Sequence, residues 1–114
     1  MNNKCYLLLV EDEPLVQANN KKILERRGYL IRQAYSLAEA WKIIEIEMPL
    51  AIVLDIQLPD GNGLDFLREL RKISTVPVLM LTAMGTPQDI INGLEAGATI
   101  IWRNPTSFPS FSGA

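Results

Sequence analysis

Short unbroken apolar runs alternate along the chain with longer stretches in which apolar residues recur every three or four positions. Cys5–Val10 is apolar throughout and gives way at once to Glu11-Asp12-Glu13-Pro14. A strand buried on both faces reads this way, because neither side of its pleat meets water. From Pro14 onward Leu15, Ala18, Ile23 and Leu24, with the stem of Lys22, fall near helical spacing. Pro14 suits a first turn and Gly28 after Arg26-Arg27 is a stop signal, so a helix is predicted over about Leu15–Arg27. Tyr29–Ala34 alternates weakly and reads as a second strand. Ser36-Leu37-Ala38-Glu39 is a capping box that opens a second helix running through Glu47.

The pattern then repeats. Leu50–Leu54 is a second solid apolar run between Pro49 and Asp55, followed by a long loop dense in turn residues, Leu58-Pro59-Asp60-Gly61-Asn62-Gly63. Leu64–Ile73 sets Leu64, Phe66, Leu67 and Leu70 on one stripe opposite Arg68, Glu69, Arg71 and Lys72, an amphipathic helix. Pro77–Leu81 is a fourth strand. Thr86-Pro87-Gln88-Asp89 supplies an N-cap, a first-turn proline and a first-turn acid for a fourth helix, which Gly97 closes, and Ile100–Trp102 is a fifth strand. After Asn104-Pro105 the chain shows no helical period, so a fifth helix is not predicted.

Strands alternating with helices over short connections form a parallel sheet covered on both faces. Five strands fit an α/β, flavodoxin-like, doubly wound sheet of order 2-1-3-4-5, whose ligand site lies at the carboxyl ends of strands one and three. The predicted organisation is one domain over residues 1–105 and an irregular tail over 106–114. Trp41 is read as packing in the second helix.

Composition narrows the chemistry. The 114 residues are 48% hydrophobic and 21% charged, with net charge −2 from eleven basic and thirteen acidic side chains spread along the chain. That suits one globular core. It supplies no basic stripe for nucleic acid, so no direct nucleic acid contact by this chain is expected. Cys5 is the only cysteine and there is no histidine. Internal disulfides, ordinary zinc sites and Ser/His or Cys/His catalysis are thereby excluded, and carboxylates must run any chemistry. The apolar runs are too short to cross a bilayer and no leader pattern is seen, so a cytoplasmic protein without membrane contact is expected.

Glu11 and Asp12 end strand one and Asp55 ends strand three, which places three acids from two segments at one sheet edge. Carboxylates brought together raise one another's pKa unless a cation sits among them. Oxygen-only donors at strand ends favour magnesium, which leaves room for phosphate oxygens. Asp55 is the candidate nucleophile, since it follows the most apolar strand and stands alone. On spacing alone, a solvated polar rim explains these acids as well as a metal site does. Thr82, at the end of strand four, has a hydroxyl able to bond a phosphate oxygen or simply to cap a loop.

Four blocks carry a resemblance: Leu8-Leu9-Val10-Glu11-Asp12-Glu13-Pro14, Asp55-Ile56-Gln57-Leu58-Pro59-Asp60-Gly61-Asn62-Gly63, Pro77-Val78-Leu79-Met80-Leu81-Thr82-Ala83 and Gly93-Leu94-Glu95-Ala96-Gly97-Ala98. In order and spacing they resemble the receiver domains of bacterial two-component response regulators, of the CheY-like kind. The resemblance implies that Asp55 accepts a phosphoryl group from a sensor histidine kinase. It implies that Asp12, Asp55 and the backbone carbonyl of Gln57 hold Mg2+, that Glu11 acts through the metal's water, and that Thr82 is the switch residue. It further implies self-catalysed phosphorylation rather than conventional enzyme turnover and a transcriptional output domain outside this chain; a second copy of the chain is a candidate partner that the sequence leaves open.

The resemblance breaks after Ala98. Ile101 stands where the family has an aromatic switch residue, and Asn104, before Pro105, stands where it has a lysine that pairs with phosphoryl oxygens. One inserted base before the codon of Thr99, with suitable synonymous codons, turns Thr99–Phe111 into Asp-Asp-Tyr-Leu-Ala-Lys-Pro-Tyr-Leu-Leu-Ser-Glu-Leu, the family's own pattern. A one-base deletion in the gene is the hypothesis that follows, and codons that cannot be shifted in this way overturn it.

Three functions remain open at this point. The first is a phosphoacceptor switch. The second is a receiver-like interaction module impaired in phosphorylation, favoured by Ile101 and Asn104. The third is a small metal-dependent phosphatase, which lacks a visible second acid or substrate loop.

Overall fold

The computed structural model describes residues 6–55, 57–58, 60–81, 95, 97 and 100–102. Strands β1 (Tyr6–Val10), β2 (Leu30–Ala34), β3 (Ala51–Asp55), β6 (Val78–Leu81) and β7 (Ile100–Trp102) form one parallel sheet of order β2-β1-β3-β6-β7. This is the predicted order, with β6 and β7 as the fourth and fifth strands. Every residue of β1 is buried, as are the first four of β3. The unbroken apolar runs are therefore those of central strands covered on both faces.

Helix α1 (Pro14–Glu25) ends earlier than the spacing predicted, because Arg26–Gly28 forms a turn with Gly28 at φ 93°. Its inward face also differs from the prediction. Gln17, Asn20 and Leu24 are buried, whereas Leu15 is 82% exposed and Ala18 and Lys22 are exposed. Positions 17, 20 and 24 follow the i, i+3, i+7 rhythm of one helical face, and that face is set by how α1 crosses the sheet, with polar residues carried inside.

Helix α2 (Leu37–Ile46) is capped as expected: the Ser36 hydroxyl accepts from Glu39 N–H at 3.2 Å. The returning Glu39 carboxylate takes the Tyr35 N–H at 2.8 Å, one residue before the cap. Helix α3 (Gly63–Leu70) buries Phe66, Leu67 and Leu70. Each of these side chains contributes roughly 1.5–3 kcal/mol through lost apolar surface. The predicted extension to Ile73 is instead a turn, and Ile73 is 66% exposed. Trp41 packs on Phe66 with ring centroids 4.7 Å apart, joining α2 to α3 over the core of Leu8, Val10, Ile52, Leu54 and Met80.

The long loop predicted after β3 contains structure of its own. Strands β4 (Gln57–Leu58) and β5 (Gly61–Asn62) pair antiparallel as a two-rung hairpin. Asn62 then caps α3, its side chain accepting from Leu64 N–H at 2.6 Å. Glu95 is helical and Gly97 sits in a turn at φ 110°, in keeping with a helix closed there. The rest of the predicted fourth helix, Thr82, Asn104, the tail 106–114 and the question of a final helix lie outside the described residues.

Candidate functional site

The register of the sheet builds the site. Val10 is opposite Leu54 in the β1–β3 ladder, so the next positions, Glu11 and Asp55, stand side by side at the carboxyl edge of the sheet. Beyond Glu11 the chain turns into α1 and presents Asp12. One carboxylate oxygen from each of Glu11, Asp12 and Asp55 lies within 4.8 Å of the others. Glu11 is 6% exposed, Asp55 half-buried and Asp12 exposed. The three acids that the sequence assigned to one edge thus meet in one cluster, graded from buried to open.

Burial first, and then hydrogen bonding and charge from the Asp55 carboxylate and bonding to Asp12, push the Glu11 carboxyl up to about 8. The Glu13 N–H, donated to Glu11 Oε2 at 3.0 Å, works in the opposite direction without prevailing. Burial and the two neighbouring carboxylates thus favour the protonated form of Glu11. Three carboxylate donors within reach of one another, one buried and one open to solvent, match the demand of a magnesium ion for hard oxygen ligands with an open, hydrated side.

The hairpin β4–β5 starts two residues after Asp55 and brings the Gln57 backbone next in line. On the other flank Asp55 pairs with Leu81 at the end of β6, and Leu81 pairs with Trp102 in β7. Ile101 is a strand residue opposite Met80. Thr82 and Asn104 fall outside the described residues.

Two polar side chains with structural partners were not singled out from sequence. Gln17 is fully buried beneath the end of β1. Asp60, read only as a turn residue, accepts from Leu37 N–H at 2.9 Å and Ala38 N–H at 3.0 Å at the start of α2. Gln17 shares a helical face with Leu24, seven residues on, but as a polar side chain among Leu15, Ala18 and Ile23 it gave no signal of burial. Asp60 gave none, since its partners are more than twenty residues away.

The model of the response regulator receiver domain family matches residues 7–105. Among curated proteins, the probable transcriptional regulator ycf27 of Guillardia theta is 41% identical over 102 residues, covering 86% of this chain and 39% of that protein. The KDP operon transcriptional regulatory protein KdpE of Escherichia coli K12 is 38% identical over 92 residues, covering 81% of this chain and 41% of its own length. The chain therefore spans about two fifths of the curated relatives it matches. Among solved structures, a two-component response regulator from Clostridium difficile superimposes with TM-score 0.84 at 27% identity, covering 90% of this chain and 84% of that one. A response regulator from Chloroflexus aurantiacus J-10-fl gives TM-score 0.82 at 34% identity, covering 90% and 87%.

Proposed function

The chain belongs to the response regulator receiver domain family, and from that premise we propose that it is a phosphoacceptor switch that takes a phosphoryl group on Asp55 from a sensor histidine kinase. The observation that carries the reading is the meeting of Glu11, Asp12 and Asp55 within 4.8 Å at the carboxyl edge of the sheet. Asp12, Asp55 and the Gln57 carbonyl would hold Mg2+, with Glu11 behind them. When bound, the metal would neutralise charge on the transferring group.

In the transfer a carboxylate oxygen of Asp55 forms the new P–O bond as the P–N bond to the donor imidazole breaks. The imidazole nitrogen keeps the electron pair and takes up a proton. Asp55, half-buried and paired with Leu81 at the end of β3, supplies the attacking oxygen from a held position. Thr82 would carry the phosphorylated state outward. The receiver unit is placed over residues 1–105, in the cytoplasm, with self-catalysed phosphorylation and no turnover of an external metabolite. A second copy of the chain and a transcriptional output like those of the relatives belong to the same proposal.

Asn104, standing where the family has lysine, favours a second reading: a receiver-like module that binds partners without being phosphorylated. Incubation with Mg2+ and a small acyl phosphate separates the two. The first reading expects one phosphoryl mass added and removed by hydroxylamine, whereas no added mass establishes the second.

A further inference from the structure

Helix α1 passes beneath the acidic cluster with a glutamine on its inward face. Gln17 is fully buried. Its Nε2 lies 3.0 Å from the Leu9 carbonyl oxygen, 3.1 Å from that of Glu11 and 2.8 Å from that of Ala34. An amide nitrogen carries two hydrogens, so one of them is shared between two carbonyls. The Gln17 Oε1 accepts from Gln33 Nε2 at 3.2 Å, which orients the amide with its nitrogen toward the carbonyls. Burying an amide is unfavourable unless its bonds with water are replaced, and here both ends of the group are bonded.

These bonds fall where the sheet stops. The β1–β2 ladder ends at the pair Val10 and Ala34. Past that rung the Glu11 N–H donates to the Ala34 carbonyl at 3.0 Å, and the Glu11 carbonyl receives Gln17. That carbonyl belongs to the rigid peptide plane joining Glu11 to Asp12, so the direction of its oxygen decides the direction in which Asp12 departs. Ala34 accepts from both Glu11 and Gln17, which ties the pocket strand, the edge strand and α1 at one point.

We infer that Gln17 is a positioning residue: by holding the Glu11–Asp12 peptide it aims the Asp12 carboxylate into the cluster formed with Glu11 and Asp55. Its consequence for metal binding rests on the phosphoacceptor reading above. Groups that orient a ligand without touching the metal typically change affinity by about 10–100-fold when removed.

The test uses the full chain with Gln17→Met, which keeps shape and loses the donors. Gln33→Met, at a half-buried site, loosens the same amide without emptying buried space. Leu24→Ala, on the same face of α1, weakens packing and touches none of the carbonyls. In metal-free protein the N–H residual dipolar coupling of Asp12 reports the peptide plane directly. It should change in Gln17→Met, change less in the same sense in Gln33→Met, and stay in Leu24→Ala. Titration with magnesium alone should show affinity falling about tenfold in Gln17→Met, while Leu24→Ala melts earlier yet binds within about twofold of wild type. An unchanged Asp12 coupling in both glutamine variants overturns the inference whatever the metal does. Equal weakening by Leu24→Ala also overturns it, since general loosening would then suffice. Wild-type protein that binds no magnesium fails the phosphoacceptor reading instead, and with it the metal half of this inference, while the coupling still decides the positioning half.

Discussion

Asp60 grips the first turn of α2 at Leu37: its carboxylate accepts the Leu37 N–H at 2.9 Å across 23 residues of chain, and the Ala38 N–H at 3.0 Å beside it. The Leu37 side chain answers from the other side, where a Cβ on Gly61 would come within 2.9 Å of Leu37 Cδ1. The hairpin that follows Asp55 is therefore clasped to a helix by a charge at the helix's positive end.

Those two backbone bonds, set against a smaller effect of burial, hold the Asp60 carboxyl below its ordinary value. A depressed native pKa contributes stability that is present above the ordinary value and is lost as pH falls through the native one. Asp60→Ala should cost about 1 kcal/mol, the scale of a lost helix cap, or roughly 4 °C of melting temperature. The advantage of wild type over Asp60→Asn should be full at neutral pH, begin to shrink near about pH 4 and vanish as pH falls through the depressed native value. Thermal melts of the three proteins across that range decide it, and a difference independent of pH would show that charge plays no part.

Asp55→Asn should abolish phosphoryl incorporation from a small acyl phosphate with Mg2+ while leaving the melting temperature equal or higher. A carboxylate removed from a cluster of three relieves repulsion. Mass spectrometry reads the first outcome and calorimetry the second. Incorporation at the wild-type level would move the acceptor elsewhere.

Magnesium binding should fall more for Asp12→Ala than for Glu11→Ala, because Asp12 faces the open side of the cluster and Glu11 is buried behind it. Glu11 adds a pH dependence of known sign. Its native value of about 8 lies above the ordinary 4.5, so the folded state binds the proton more tightly. Its contribution to stability is complete below the ordinary value and drains away as pH rises toward about 8. Glu11→Gln should remove that slope from urea unfolding of the metal-free protein. Magnesium bound at the cluster would displace the same proton, so wild-type affinity should climb over the same interval. Parallel stability profiles for wild type and Glu11→Gln would place the proton elsewhere.

Replacing the sequence after Ala98 with the frame-restored one should raise thermal stability, since a docked amphipathic helix contributes roughly 1.5–3 kcal/mol per large apolar side chain buried. It should also confer a beryllofluoride-dependent change in amide spectra around β7, which the present sequence, with Asn104 and Ile101, should largely lack. A switch needs a ligand that distinguishes two packed arrangements, and the lysine and aromatic supply that distinction in the restored chain. An equal spectral response from both chains would show that Asn104 and Ile101 are adequate substitutes.

The strand order, the two buried central strands, the Ser36 cap, the stop at Gly28 and the convergence of Glu11, Asp12 and Asp55 were all legible in the sequence by itself. Each depends on local pattern, or on the single rule that parallel strands gather ligands at their carboxyl ends. The inward face of α1, the hairpin inside the loop after Asp55, the clasp of Asp60 on Leu37 and the burial of Gln17 were decided only by the tertiary structure. Leu15 and Gln17 show why. Local hydropathy puts the leucine inside and the glutamine outside, yet the Gln17 amide donates to the Leu9, Glu11 and Ala34 carbonyls at the end of β1 and that face of α1 turns inward, because a buried carbonyl left without a donor costs more than an exposed leucine does.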